Sequence, residues 1–239
     1  MRLHVEERGH GTRRIALVHG LLGAGPVWSD VVAATDPSLV TFLLVDLRGH
    51  GSSPRSVDGR YSVRSMADDL VETLPVGLDA IVGHSLGGSL LAAAVGALRP
   101  TRAVYLDPGF RLLLPGRGIG AELFWRIPGL GRMLAHAYDR TDPAVGPSNV
   151  AVSEAAHRAW DRSMLPELLR DVAAHPVRPA RPEVPSALVL SDDGRLVVPP
   201  RDLPALRSFG WDVHRAEGIR HDMMLLDGQR TARIIEELS

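Results

Sequence analysis

Short runs of wholly apolar residues recur along the chain, and stretches of helical spacing lie between them. Residues 15–18, 42–45, 79–82, 103–106 and 186–191 are apolar or nearly so, which suits central strands of a parallel sheet buried on both faces. Residues 2–7 read as a further strand, separated from the next by Gly9-His10-Gly11, and 212–216 as the last. Between the strands, residues 28–34 predict a short helix. Residues 61–74 predict an amphipathic one, with Met66, Leu70 and Leu74 spaced by four. The Ala- and Leu-rich run 86–98, a segment near 200–208 and the C-terminal 229–238 complete the helical set.

Strand and helix alternate without a break up to residue 108. From 109 to 183 the chain reads as helices interrupted by Gly and Pro, after which the alternation resumes. The expectation is one α/β domain with a mostly parallel, doubly wound sheet, formed by residues 1–108 and 184–239, and a helical cap inserted at 109–183. A length of 239 residues is enough to bury a large core without a second domain.

Charge and composition remove several function classes. The 27 basic residues, all of them Arg, nearly balance 28 acidic ones, so there is no overall footprint for nucleic acid or an anionic membrane. The absence of Lys excludes Schiff-base chemistry, and the absence of Cys excludes disulfides, thiol nucleophiles and cysteine zinc sites. The N-terminal residues have no apolar signal core and no run is long enough to span a bilayer, so a cytoplasmic location is expected.

The chemistry is concentrated at Gly83-His84-Ser85-Leu86-Gly87-Gly88, a G-x-S-x-G turn between an apolar strand and a helix. In that context it is a nucleophile elbow, in which Ser85 sits on strained backbone and presents its hydroxyl above the sheet. A serine hydroxyl needs a base to take its proton and an acid to orient that base. His221, in the loop after the last strand, is the expected base. For the acid, Asp193 is placed first, with its neighbour Asp192 and then Asp107, at the end of the preceding strand, as alternatives. An oxyanion hole needs two backbone N–H groups, expected from Leu86 after the nucleophile and from Leu21 in His19-Gly20-Leu21-Leu22-Gly23. His19, His50 and His84 are read as stiffening turns.

Together His19-Gly20, Asp46-Leu47-Arg48-Gly49-His50-Gly51-Ser52-Ser53, the elbow, Asp192-Asp193 and Gly218-x-x-His221 resemble the α/β-hydrolase superfamily in order and spacing. The resemblance implies an eight-stranded sheet with a cap after the sixth strand. Because the first strand-like run matches the family's second strand, seven or eight strands are expected. The resemblance also implies that residues 46–53 orient loops near the site rather than react. No cofactor or metal is expected. Within the superfamily, Ser85 disfavours the epoxide hydrolases and dehalogenases, which use Asp, and Leu21 departs from the aromatic of cofactor-free haloperoxidases. The lack of Lys disfavours hydroxynitrile lyases. What remains is hydrolysis of an ester, lactone or thioester through an acyl-enzyme on Ser85. Acyl transfer, carbon–carbon bond hydrolysis and a non-catalytic ligand-binding role are the alternatives. The apolar residues of the cap, such as Leu112, Phe124, Trp125, Leu168 and Leu169, are expected mostly to pack its own core and partly to roof the pocket. Met223 and Met224 are candidates to line it. The expected partner is therefore a small apolar molecule, with neither nucleic acid nor membrane.

Overall fold

The computed structural model describes residues 1–138, 141–178, 180–193 and 197–239. Seven strands form one sheet: β1 (Val5–Arg8), β2 (Arg13–Val18), β3 (Val40–Val45), β4 (Ala80–His84), β5 (Arg102–Leu106), β6 (Ser186–Leu190) and β7 (Asp212–Arg215). Their order is β1-β3-β2-β4-β5-β6-β7, with β1 antiparallel to β3 and every other pair parallel. The sheet thus has seven strands among the described residues, and the helical insertion follows the fifth of them.

The apolar runs form central strands because both of their faces are covered. Along β2, Ala16 and Val18 pack on one side with Leu70, Leu90 and Leu91. Ile15 and Leu17 pack on the other with Trp28, Val31 and Ile235. The first side is covered by α2 (Val63–Thr73) and α3 (Leu86–Leu98), and the second by α1 (Ser29–Ala33) and α10 (Gly228–Leu238). The helix start anticipated at residue 61 lies at Val63, where Ser62 caps it by accepting from the Ser65 N–H.

Strand order reverses at β2 and β4, whose carboxyl ends diverge to neighbours on opposite sides. That is the crevice where open α/β sheets place their ligands. Four helices lie between β5 and β6 in the chain, α4 (Ile119–Trp125), α5 (Leu130–Tyr138), α6 (Pro147–Arg158) and α7 (Leu165–Ala174), and of these α6 and α7 contribute residues to the space beside Ser85. Leu130, Leu134, Trp160, Leu165 and Leu168 are buried within this insertion. Leu113, Ile119, Leu123 and Met133 are instead 61–81% exposed, so the first part of the insertion keeps less of its apolar surface inside than its composition suggested. The remaining helices are α8 (Leu203–Ser208) and α9 (Met223–Leu226). Among the described residues, no helix is long and apolar enough to cross a membrane.

Candidate active site

β4 runs straight into α3 through Ser85, whose φ of 50° and ψ of −115° lie where a side chain is strained. The flanking glycines make the turn possible by allowing close approach. A Cβ on Gly83 would stand 2.6 Å from the Gly87 carbonyl oxygen, and one on Gly87 would stand 2.4 Å from the Val18 carbonyl oxygen. The elbow therefore wedges β4, α3 and the end of β2 together, with the Ser85 hydroxyl as its outermost group.

His221 reaches Ser85 as the sequence led us to expect, its Nε2 standing 3.0 Å from the Ser85 Oγ. The acid differs from the expectation. His221 Nδ1 is 2.5 Å from Asp107 Oδ2, whereas Asp193 makes no hydrogen bond to the imidazole. Asp107 lies at the end of β5, fully buried, with a φ of 42° that turns its carboxylate back under His221. Ser191 holds it there by donating its N–H to Oδ1 at 3.1 Å and its hydroxyl to Oδ2 at 2.9 Å. The two aspartates after β6 do other things. The Asp192 carboxylate accepts the Gly218 N–H, and its own N–H donates to the Ile219 carbonyl, so it braces the loop that carries His221. Asp193 donates its backbone N–H to the Ser191 Oγ and affects His221 only through its charge.

Burial alone would push the His221 imidazole down in pKa, but the hydrogen bond and the charge of Asp107 outweigh it and leave the value raised. For Asp107, burial acts upward, yet the bond to His221, its charge and the two bonds from Ser191 leave the carboxyl below its ordinary value. Asp107 is thus held ionised, and a proton arriving on His221 is stabilised.

His84, the middle residue of Gly83-His84-Ser85, does more than stiffen its turn. Its ring packs on that of His221 with centroids 4.8 Å apart, and its Nε2 stands 3.0 Å from the His221 carbonyl oxygen. Burial, followed by the charge of His221, pushes its pKa down to about 3, so it stays neutral and donates from Nε2 to that carbonyl.

The loop after β2, which carries Leu21, passes directly beside Ser85. A Cβ on Gly20 would lie 2.9 Å from both the Ser85 Cβ and the His84 Nδ1, so only glycine lets the loop pass so close to the nucleophile. The buried His19 and His50 fix the loop's path. His19 Nε2 accepts the Leu47 N–H at 3.0 Å, which puts its own proton on Nδ1, facing the Gly20 carbonyl at 2.6 Å. His50 Nε2 accepts the Leu22 N–H at 3.4 Å, and burial, with the charge of His19 adding to it, lowers its pKa to about 3. The N–H groups of Leu21 and Leu86 are left without a protein acceptor among the described residues, and both residues line the space beside Ser85.

Residues 46–53 build the support for that loop. Asp46 accepts the N–H of Gly25 at 2.6 Å and of Ser52 at 2.8 Å. Arg48 makes a two-pronged, buried pair with Asp69 on α2, at 2.5 and 2.7 Å, and donates to the Arg60 carbonyl. None of these groups reaches Ser85.

Polar residues of the insertion and of the His221 loop also face Ser85: Thr141, Asp142, Ser153, His157 and Asp222. No sequence signal marked them: the relevance of Thr141, Asp142, Ser153 and His157 depends on how the insertion folds over the sheet, and that of Asp222 on how the His221 loop turns its neighbour toward the cavity. Met224 lines the same space, while Met223 is buried in the core. One ligand atom each of His84, His221 and Asp222 lie within 4.8 Å of one another, a spacing that suits a cation.

Comparison with known proteins bears on the family and the fold. The family model described as "Alpha/beta hydrolase family" matches residues 15–234. The chain is 29% identical to a pimeloyl-[acyl-carrier protein] methyl ester esterase of Methylococcus capsulatus, over 99% of this chain and 98% of that one. It is 30% identical to the protein of the same name in Aeromonas hydrophila, over 88% and 80% respectively. Among solved structures, one titled as Est816, an N-acyl homoserine lactone degrading enzyme, superposes with a TM-score of 0.73 at 19% identity, covering 99% of this chain and 96% of that one, a likeness of fold. By its sequence match and its architecture, the chain belongs to the alpha/beta hydrolase family.

Proposed function

We propose that the chain is a serine hydrolase of carboxylic esters, with lactones and thioesters within reach of the same chemistry, acting through an acyl-enzyme on Ser85. The observation that carries this reading is the unbroken line from the Ser85 Oγ through His221 to the buried carboxylate of Asp107, at 3.0 and 2.5 Å. His221 takes the Ser85 proton as Oγ attacks the carbonyl carbon, and Asp107 stabilises the imidazolium that forms. The oxygen that gains charge rests on the Leu21 and Leu86 N–H groups, assisted by the N-terminal end of α3. His221 returns the proton to the leaving oxygen, and water attacks the acyl-enzyme with the same imidazole as base. The two esterases named among the relatives support an ester as substrate, and the lactone-degrading enzyme of similar fold keeps lactones in the same reading.

The test is covalent. A fluorophosphonate probe labels the folded protein at Ser85, and Ser85→Ala abolishes both the label and the turnover of p-nitrophenyl esters. Undiminished turnover in Ser85→Ala overturns the proposal.

A further inference from the structure

Two cavities of different character meet at Ser85. The larger, about 180 Å³, is walled on its polar side by Thr141, Asp142, Ser153, His221 and Asp222. The smaller, about 70 Å³, is walled by Leu86, Leu112, Leu168, Leu169 and Val172.

Ester hydrolysis through Ser85 assigns a substrate half to each cavity, an assignment that rests on the proposed function. In the tetrahedral intermediate the former carbonyl carbon carries Ser85 Oγ, the oxyanion, the acyl chain and the leaving oxygen. The leaving oxygen must receive its proton from His221 Nε2, so it departs on the side where His221 stands. His221 lines the larger cavity and is absent from the lining of the smaller. The alcohol half therefore occupies the larger cavity, whose lining is mixed, and the acyl chain occupies the smaller, apolar one. At roughly 10–15 Å³ for each water-sized group, the apolar cavity holds on the order of five heavy atoms, which suits a short acyl chain.

Among the polar groups of the larger cavity, most already have partners. Asp142 is paired with Arg220, and Thr141 Oγ1 and Ser153 Oγ bond each other at 3.0 Å. The Asp222 carboxylate has no hydrogen-bond partner among the described residues, and one of its oxygens lies within 4.8 Å of a ring nitrogen of His221. The leaving oxygen sits at that imidazole. A donor two carbons farther along the alcohol lies about 3 Å from the leaving oxygen, in position to bridge to Asp222.

We propose that the preferred substrate is a short-chain acyl ester whose alcohol carries a hydrogen-bond donor two carbons from the ester oxygen, a hydroxyl or an ammonium, recognised by Asp222. The covalent steps balance as ester plus water to acid plus alcohol. The Ser85 Oγ–acyl bond forms as the bond to the alcohol oxygen breaks, and the Ser85 proton leaves with the alcohol through His221. Water then cleaves the acyl–Ser85 bond and restores the hydroxyl.

The experiment compares kcat/KM for 2-hydroxyethyl, 2-(dimethylammonio)ethyl and n-propyl butanoate in the wild type, Asp222→Ala and Asp222→Asn, with each variant checked for fold by circular dichroism. The wild type is expected to favour both donor-bearing esters over n-propyl by about tenfold or more, the gain of one hydrogen bond to a charged acceptor. Asp222→Ala brings both ratios close to one. Asp222→Asn, which keeps an acceptor oxygen but not the charge, retains part of the hydroxyl preference and loses the ammonium preference. On the acyl side, p-nitrophenyl esters fall off beyond hexanoyl, and Val172→Ala moves the optimum to longer chains. Wild-type ratios near one, ratios unchanged in Asp222→Ala, or octanoyl turnover equal to butanoyl overturn the inference while leaving ester hydrolysis intact. Absence of all ester turnover together with an unlabelled Ser85 instead overturns the hydrolase reading, and the inference with it.

Discussion

Replacing Asp107 by Asn is the most informative perturbation, because it removes one charge from a fully buried position while preserving shape. The amide oxygen still accepts the Ser191 N–H, which Oδ1 accepts in the native protein at 3.1 Å. The amide NH₂ then occupies the Oδ2 position, which now faces both the Ser191 hydroxyl and His221 Nδ1 at 2.9 and 2.5 Å. A donor there forces His221 into the tautomer with its proton on Nε2, which cannot accept the Ser85 proton. Attraction between imidazolium and carboxylate is lost as well, about 4 kcal/mol for unit charges roughly 4 Å apart at an effective dielectric constant of about 20. A barrier increase of about 4–6 kcal/mol corresponds to a kcat loss of roughly 10³ to 10⁴. The assay is kcat/KM for p-nitrophenyl butanoate as a function of pH. In the wild type, activity falls as pH drops through the raised pKa of His221, since only the neutral imidazole acts as base. In Asp107→Asn the largest raising influences are gone while burial remains, so the residual activity persists to lower pH than in the wild type. Asp193→Asn, by contrast, removes only a charge acting at a distance, and its kcat/KM is expected to stay within about threefold, as for a solvent-screened group. A loss of 10³ or more in Asp193→Asn, with Asp107→Asn within tenfold of wild type, refutes the assignment.

Elsewhere around the site, Gly20→Ala places a Cβ 2.9 Å from Ser85 Cβ and displaces the Leu21 N–H, so kcat falls by about 10² or more while circular dichroism shows native fold. Asp69→Ala leaves the Arg48 guanidinium buried without its carboxylate and costs about 3–5 kcal/mol of stability, read from urea unfolding. His84→Phe keeps the packing on His221 but loses the bond to its carbonyl oxygen at 3.0 Å, and kcat falls about tenfold with KM little changed.

The sheet was legible because its strands are buried on both faces, and continuous apolar runs are what that burial requires. The elbow, His221 and the close approach of the Leu21 loop to Ser85 were legible because each belongs to a short contiguous motif whose backbone geometry is demanding. The carboxylate partner was not. Three aspartates end or follow neighbouring strands, and the choice among them depends on the left-handed turn at Asp107 and on Ser191 reaching across from the next strand. The structure supplies what was missing: β5 pairs with the elbow strand with Leu106 opposite His84, which sets Asp107 level with Ser85. The polar lining contributed by Thr141, Asp142 and Asp222 was invisible for a different reason. Thr141 and Asp142 reach the site on the connection between α5 and α6, and Asp222 on the loop of His221, and no local periodicity encodes which of these side chains turn into the cavity.

Every step of the proposed reaction requires that Ser85 carry the acyl group during turnover. Acid quenching during hydrolysis of p-nitrophenyl butanoate, followed by peptide mass mapping, measures this directly. Butanoyl is expected on the peptide containing Ser85, with the adduct and the turnover both absent in Ser85→Ala. Steady turnover with the acyl group on another residue, or turnover retained in Ser85→Ala, contradicts it.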